Sequence, residues 1–182
     1  MQSVRDVLFY FIMFLISIPA RLKGMEFGRK SYVGPGYDFL FVSLNNITVG
    51  DKVSIGRNAW IQTTKKGSIK IGDRTSIGRR CTISSLDTIT IGKDCMLSFN
   101  VSILDHDHEV QDPNVKPSEG KLTLGSPVHI GDECFIGANA CILKGVVLGK
   151  HCVVGANSVV TKSFPKYSVI AGNPAKLIKK IR

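Results

Sequence analysis

"IGDECFIGANACILKGVVLGKHCVVGANSVV", residues 130–160, decides the fold. Stepping by six from Ile130 reaches Ile136, Ile142, Leu148, Val154 and Val160, a branched aliphatic every time. Glycine follows four of them, at Gly131, Gly137, Gly149 and Gly155. Six is not a multiple of 3.6, so a helix would smear these aliphatics around its surface. It is a multiple of two, so strands keep them on one face. Earlier in the chain the same beat runs through Val49, Ile55 and Ile61, then Ile71, Ile77 and Ile83, then Ile91, Leu97 and Ile103. Two short phase slips occur, at Lys65–Lys70 and at Leu86–Ile89, and one long interruption follows Ile103.

Four positions after each aliphatic stands a small or slender residue: Val53, Ala59, Thr75, Cys81, Cys95, Val101, Cys134, Ala140, Val146, Cys152 and Ser158. On a strand-based coil that slot also points inward, so a large and a small residue share each interior level. Four of the five cysteines fall in it and are read as small buried hydrophobes. The odd count and the absence of any C-x-x-C pair argue against a disulfide framework and a structural metal, and for a reducing compartment. A unit this short cannot bury its apolar face alone, so the repeats must stack as a solenoid.

The 182 residues suffice for one domain, and 43% hydrophobic with 21% charged residues describes a folded chain. The net charge of +10 is unevenly placed. No acid follows Glu133, while Lys144, Lys150, Lys162, Lys166, Lys176, Lys179, Lys180 and Arg182 do. Such a tail attracts a polyanion: nucleic acid, an anionic membrane or a phosphorylated cofactor. Near the N-terminus, residues 7–18 ("VLFYFIMFLISI") form an apolar run followed by Pro19, Arg21 and Lys23. Twelve helical residues rise about 18 Å, short of a bilayer's hydrocarbon core. The run is read as a helix on the protein or at a subunit contact, with peripheral membrane contact as the alternative.

The pattern "IGxxxxIGxxxxI" resembles the hexapeptide repeat of left-handed parallel β-helices over about residues 47–176. That resemblance implies an all-β solenoid domain over 47–182, after a lead-in over 1–46 with a short apolar helix. It also implies one extruded loop at about 109–127 and a short C-terminal helix in the basic tail 173–182. Toward the end, "GANSVVTK" (155–162), Pro165 and "AGNPAK" (171–176) look like the acetyl-CoA-dependent O-acetyltransferases related to maltose and galactoside acetyltransferases. They are similar too to transferases that acetylate bacterial surface polysaccharides. The resemblance implies a homotrimer with acetyl-CoA in a groove between subunits, a sugar or glycan acceptor, and direct transfer in a ternary complex with no metal. Carried over by position, Ala138 and Ala156 offer backbone amides to the pantetheine arm, Thr161 and Lys162 sit in the matching "TK", and Lys176 and Lys179 meet the phosphates. Physically, alanine admits a ligand close to the backbone, and lysine binds phosphate as a point charge.

The long interruption, "ILDHDHEVQDPNVKPSEGKL" (103–122), holds two of the four histidines. Attack of a hydroxyl on a thioester needs a base, and histidine supplies one near neutral pH. The resemblance places that base at His108, with His106, Asp105 and Asp107 as supporting candidates. The polar stretch after it, rich in turn formers, is read as a loop that shapes the acceptor pocket. No counterpart of the sugar enzymes' acceptor-binding carboxylate and amide is evident near Arg79–Asp87. N-acetyl transfer to an amino sugar or xenobiotic is the nearest alternative. A γ-type carbonic anhydrase, drawing on His106 or His108 with His129 and His151, and a non-catalytic scaffold are more distant. Nucleic-acid binding is disfavoured, because the basic residues lack interleaved aromatics. The expected location is the cytoplasm, with the inner membrane face as its extension.

Overall fold

The computed structural model describes residues 4–37, 44–64, 66–109, 114–116, 118–123 and 125–181. Helix α1 (Val4–Leu22) leads into two short strands, β1 (Glu26–Phe27) and β2 (Tyr32–Val33). Successive coils follow: β3 (Ile47–Val49), β4 (Ser54–Ile55) and β5 (Trp60–Thr63); β6 (Ser68–Ile71), β7 (Ser76–Ile77) and β8 (Thr82–Ser85); β9 (Thr88–Ile91), β10 (Met96–Leu97) and β11 (Ser102–Leu104). After the long interruption come β12 (Val128–Ile130), β13 (Phe135–Ile136) and β14 (Cys141–Ile142), then β15 (Val147–Leu148), β16 (Val153–Val154) and β17 (Val159–Val160). A hairpin of β18 (Ser168–Gly172) and β19 (Ala175–Lys180) closes the chain.

Every third strand stacks on its predecessor, giving three parallel sheets. Sheet A runs β1-β3-β6-β9-β12-β15, sheet B runs β2-β4-β7-β10-β13-β16-β18-β19, and sheet C runs β5-β8-β11-β14-β17. The expected β-solenoid is therefore the observed fold, and its register is the six-residue beat. In sheet C, Ile61, Ile83, Ile103, Ile142 and Val160 pair in succession, each 0% exposed. Burying each such side chain contributes about 1.5–3 kcal/mol. The small-residue slot is buried throughout, from Val53 to Ser158.

At the A–B and B–C corners the chain turns through a left-handed residue three positions after the aliphatic. Lys52, Asn58, Arg74, Arg80, Asp94, Asn100, Glu133, Asn139, His151 and Asn157 all have φ between 56° and 60°. That conformation is costly outside glycine, but it aims the backbone N–H at the neighbouring coil. Asn157 N, for example, donates to Ala138 O at 2.8 Å. Glycine is needed one step after the aliphatic because the next coil's corner is so close. A Cβ on Gly137 would lie 2.5 Å from Ala156 N.

Two expectations change. The solenoid starts before residue 47, since β1 pairs with β3 and β2 with β4, both parallel. Phe27–Gly28 and Val33–Gly34 already keep the beat, with phenylalanine in an aliphatic place. The expected C-terminal helix is strand β19, antiparallel to β18. The chain reverses at Gly172 (φ 103°), and β19 takes up the backbone groups that β18 would otherwise leave open at the sheet edge. The expected loop at about 109–127 leaves the solenoid after β11 and returns before β12, and its described limbs pair with each other at the base. Glu109 N donates to Lys121 O (2.8 Å), Thr123 N to Asp107 O (2.8 Å) and Ser126 N to Asp105 O (2.7 Å). Loop residues 110–113, 117 and 124, and Arg182 of the tail, lie outside the described residues.

Helix α1 packs against β2, with Ser17 and Ala20 buried and the Phe9 and Tyr10 rings against Tyr32. Val33 N donates to Ser17 Oγ at 3.0 Å. Its outward side is apolar: Val7, Leu8, Phe11, Phe14 and Leu15 are 46–58% exposed. No helix among the described residues is long and apolar enough to cross a membrane.

Candidate active site

The corner between sheets C and A is where the beat fails, and polar groups gather inside it. Thr63, Ser85 and Asp105 are buried at the ends of successive sheet C strands. Asp105 is 0% exposed, and donors converge on its carboxylate. Leu86 N donates to Oδ1 at 2.8 Å, Asp87 N to Oδ2 at 3.0 Å, and Ser85 Oγ to Oδ2 at 2.7 Å. His106 Nδ1 lies 2.9 Å from Oδ1. A carboxylate can only accept, so this contact puts the imidazole proton on Nδ1 and leaves Nε2 as the free acceptor. The His106 side chain is only 12% exposed, wedged where Asp105 fixes its plane.

His108 is placed differently. It is exposed and sits on the outgoing limb, in an antiparallel bridge with Leu122. Asp107 does not hold an imidazole either: its Oδ2 lies 2.5 Å from Lys144 Nζ, tying the loop to the next coil at the same corner. The adjacent cavity, of about 510 Å³, is lined by Lys66, Leu86, Asp87, Leu122, Thr123 and Gly125. The sequence reasoning missed Ser85, Lys66, Asp87 and Lys144 as site residues. Lys66, Ser85 and Asp87 stand at or beside the two phase slips, which was their signal, whereas Lys144 lies within the unbroken beat and carried none.

The expected cofactor residues fall into two groups. Ala138 and Ala156 stack at the corner between sheets B and C, and neither amide N–H has a partner among the described residues. The next level of that stack is Ala171, whose strand partner is Lys176. Ala138, Ala156 and Lys176 thus form one track, with Lys179 further along β19. Thr161 and Lys162 are exposed across sheet C, at the C–A corner beyond Lys144. Free amides beside alanine, followed by a lysine, suit an amide-bearing chain that ends in phosphate.

Cys141 lies on the outward face of sheet C, and burial pushes its thiol above the ordinary range, which disfavours a thiolate nucleophile. Among the described residues no group of three or more His, Cys, Asp or Glu could hold a metal ion. His129 is on sheet A, and His151 Nδ1 lies 3.2 Å from Glu133 at the A–B corner.

Comparisons with known proteins bear on this geometry. A family model described as the hexapeptide repeat of succinyl-transferase matches residues 68–105 and 127–162. A Dictyostelium discoideum protein provisionally named an acetyltransferase is 55% identical over 93 residues, which is 51% of this chain and 47% of its own. The Escherichia coli K12 protein WbbJ, provisionally named a lipopolysaccharide biosynthesis O-acetyl transferase, is 35% identical over 105 residues, covering 54% of this chain and 53% of its own. The chain spans about half the length of these relatives. Among solved structures, the Bacillus cereus N-acyltransferase AntD, in complex with dTDP and coenzyme A, aligns with a TM-score of 0.73 at 19% identity, over 89% of this chain and 88% of that one. A likeness at that identity speaks for the fold alone. A galactoside acetyltransferase in complex with coenzyme A aligns with a TM-score of 0.59 at 25% identity, over 82% and 65%.

Proposed function

We propose that this chain, a β-solenoid of six-residue repeats, transfers an acetyl group from acetyl-CoA to a hydroxyl of a sugar or surface-polysaccharide precursor. The observation that carries this is the Asp105–His106 pair, whose buried Asp105 is held by the backbone of Leu86 and Asp87, two residues that line the cavity of about 510 Å³. His106, rather than His108, acts as the base. Its Nε2 takes the hydroxyl proton as that oxygen attacks the thioester carbonyl. The new C–O bond forms, the C–S bond breaks, and the proton passes on to the departing sulfur, without an acyl-enzyme. The amides of Ala138 and Ala156 hold the pantetheine arm, Lys176 and Lys179 pair with phosphates, and Thr161 and Lys162 border the groove. The groove is completed by a second subunit of a homotrimer.

The acceptor is met at a membrane surface. The outward side of α1 is apolar, while Arg5, Lys23, Arg29 and Lys30 are exposed at its ends and on the first coil. That arrangement suits anionic headgroups around a shallowly inserted helix. A Phe11→Glu, Leu15→Glu variant should lose co-sedimentation with vesicles of mixed neutral and anionic phospholipid and keep its fold. Retained sedimentation would remove the membrane contact.

An acceptor screen with labelled acetyl-CoA tests the transfer itself. Label should pass to hydroxyl-bearing sugars. Transfer only to amines would replace this reading with N-acylation, and no transfer to any acceptor would end it.

A further inference from the structure

Resting on the transfer chemistry proposed above, we infer that the cavity beside Asp105 is the acceptor site and that Lys66 makes it select a sugar carrying an acidic group. The cavity lies between two walls that are both tied to the base segment. One wall is 86–87, whose backbone N–H groups are the donors that hold Asp105. The other is the returning limb of the loop, fixed by Thr123 N to Asp107 O and by Ser126 N to Asp105 O. Gly125 lets that limb close, since a Cβ there would lie 2.5 Å from Asp87 Cβ. A ligand seated between the walls is therefore held in a frame shared with His106.

The chemistry of the lining narrows the ligand. Leu86 and Leu122 supply apolar surface for the C–H face of a sugar ring. Thr123 Oγ1 is already engaged with the Asp107 backbone, at 3.1 Å from O and 3.3 Å from N. Among the described lining residues two ionisable side chains remain. Among the described residues the Asp87 carboxylate receives the Thr88 hydroxyl, at 3.3 Å, which leaves acceptor capacity for sugar hydroxyls. Lys66 forms no ion pair among the described residues. A ligand that fills the cavity strips water from this ammonium, which is costly unless an anion replaces it. A carboxylate or phosphate on the sugar does so with charge-assisted hydrogen bonds. A neutral hexose leaves the lysine unmatched, and a hexosamine brings a second cation toward it.

The test uses full-length protein with coenzyme A present. Binding of glucose, glucosamine, glucuronic acid and glucose 6-phosphate is followed by ligand-detected NMR. Release of the coenzyme A thiol from acetyl-CoA is measured in parallel on the same panel. The two acidic sugars separate a carboxylate preference from a phosphate preference. At least one should bind about tenfold more tightly than glucose, as a hydrogen bond to a charged group implies. Lys66→Ala should abolish that preference and leave the acetyl-CoA KM unchanged, and Lys66→Arg should restore part of it. Equal binding of glucose and both acids, or a preference that survives Lys66→Ala, would overturn the assignment. Acid-selective binding with no thiol release from any sugar would instead overturn the transfer chemistry and keep the site's selectivity.

Discussion

At the corner between sheets A and B the chain turns the same way in coil after coil. The linkers 50–53, 72–75, 92–95, 131–134 and 149–152 each begin with glycine and end in a small buried residue: Val53, Thr75, Cys95, Cys134 and Cys152. At the corner between sheets C and A the linkers are 64–67, 86–87, 105–127 and 143–146, no longer of one length. The first corner satisfies its own groups by repetition. Each cysteine thiol donates to a carbonyl of the following coil, as Cys134 Sγ does to Gly149 O at 3.3 Å. The second corner has turn amides left over, and a buried carboxylate collects them. At the regular corner, carboxylates such as Asp51, Asp73 and Asp132 also take backbone N–H groups, but at the surface; Asp105 does so fully buried, and the proposed chemistry is placed beside it.

That contrast can be broken most severely at the base. His106→Ala should lower turnover by ~10²–10⁴-fold with acetyl-CoA affinity nearly intact, and His108→Ala should change it only a few-fold. Steady-state kinetics on both variants decide the matter. Reversed effects would return the base to the exposed limb.

Asp105→Asn should come next, with a fall in turnover on the order of 10²-fold, because an amide can present its N–H to Nδ1 and favour the wrong tautomer. It should also lower the melting temperature, since donors at Leu86 and Asp87 compete for one remaining oxygen, at about 1–3 kcal/mol for each donor left unmatched. Calorimetry and kinetics on the same sample separate the two losses.

The regular corner should answer in stability alone. Cys134→Ala should cost about 1–2 kcal/mol in denaturant unfolding and leave turnover unchanged. A large loss of activity there would erase the distinction between the corners. The smallest effect belongs to Glu133, whose Oε1 lies 2.7 Å from Lys150 Nζ at that corner. Hydrogen bonding to Lys150, then to His151, holds its carboxyl below the ordinary value of 4.5. A depressed carboxylate stabilises the fold above its unfolded pKa and loses that contribution as the pH falls through the folded value. Glu133→Gln should therefore lower the melting temperature slightly at about pH 7, and the difference should fade as the pH drops below the carboxyl's folded value.

Most of the fold was legible because the repeat states its own register. Ile130 predicts the neighbours of Ile136 and Ile142 without any knowledge of the rest. The start was misjudged because Phe27 holds a place that elsewhere belongs to a branched aliphatic. The tail was misjudged because "AKLIKK" carries no period of two, and its strand exists only because β18 offers an edge. The site was half legible. "DHDH" pointed to the segment, but the proposed choice between the two histidines rests on which one meets Asp105. That in turn depends on two backbone amides from a coil some twenty residues earlier, bonded across |i−j| = 19 and 18. No local pattern encodes such a contact.

The most direct measurement is the tautomer of the His106 ring, read from imidazole ¹⁵N shifts in labelled protein with His108→Ala used for assignment. A proton on Nδ1 and a bare Nε2 at the pH of activity would be the Asp105-oriented base predicted here. A proton on Nε2 would contradict it, because the ring could then neither donate to Asp105 nor accept from a substrate hydroxyl.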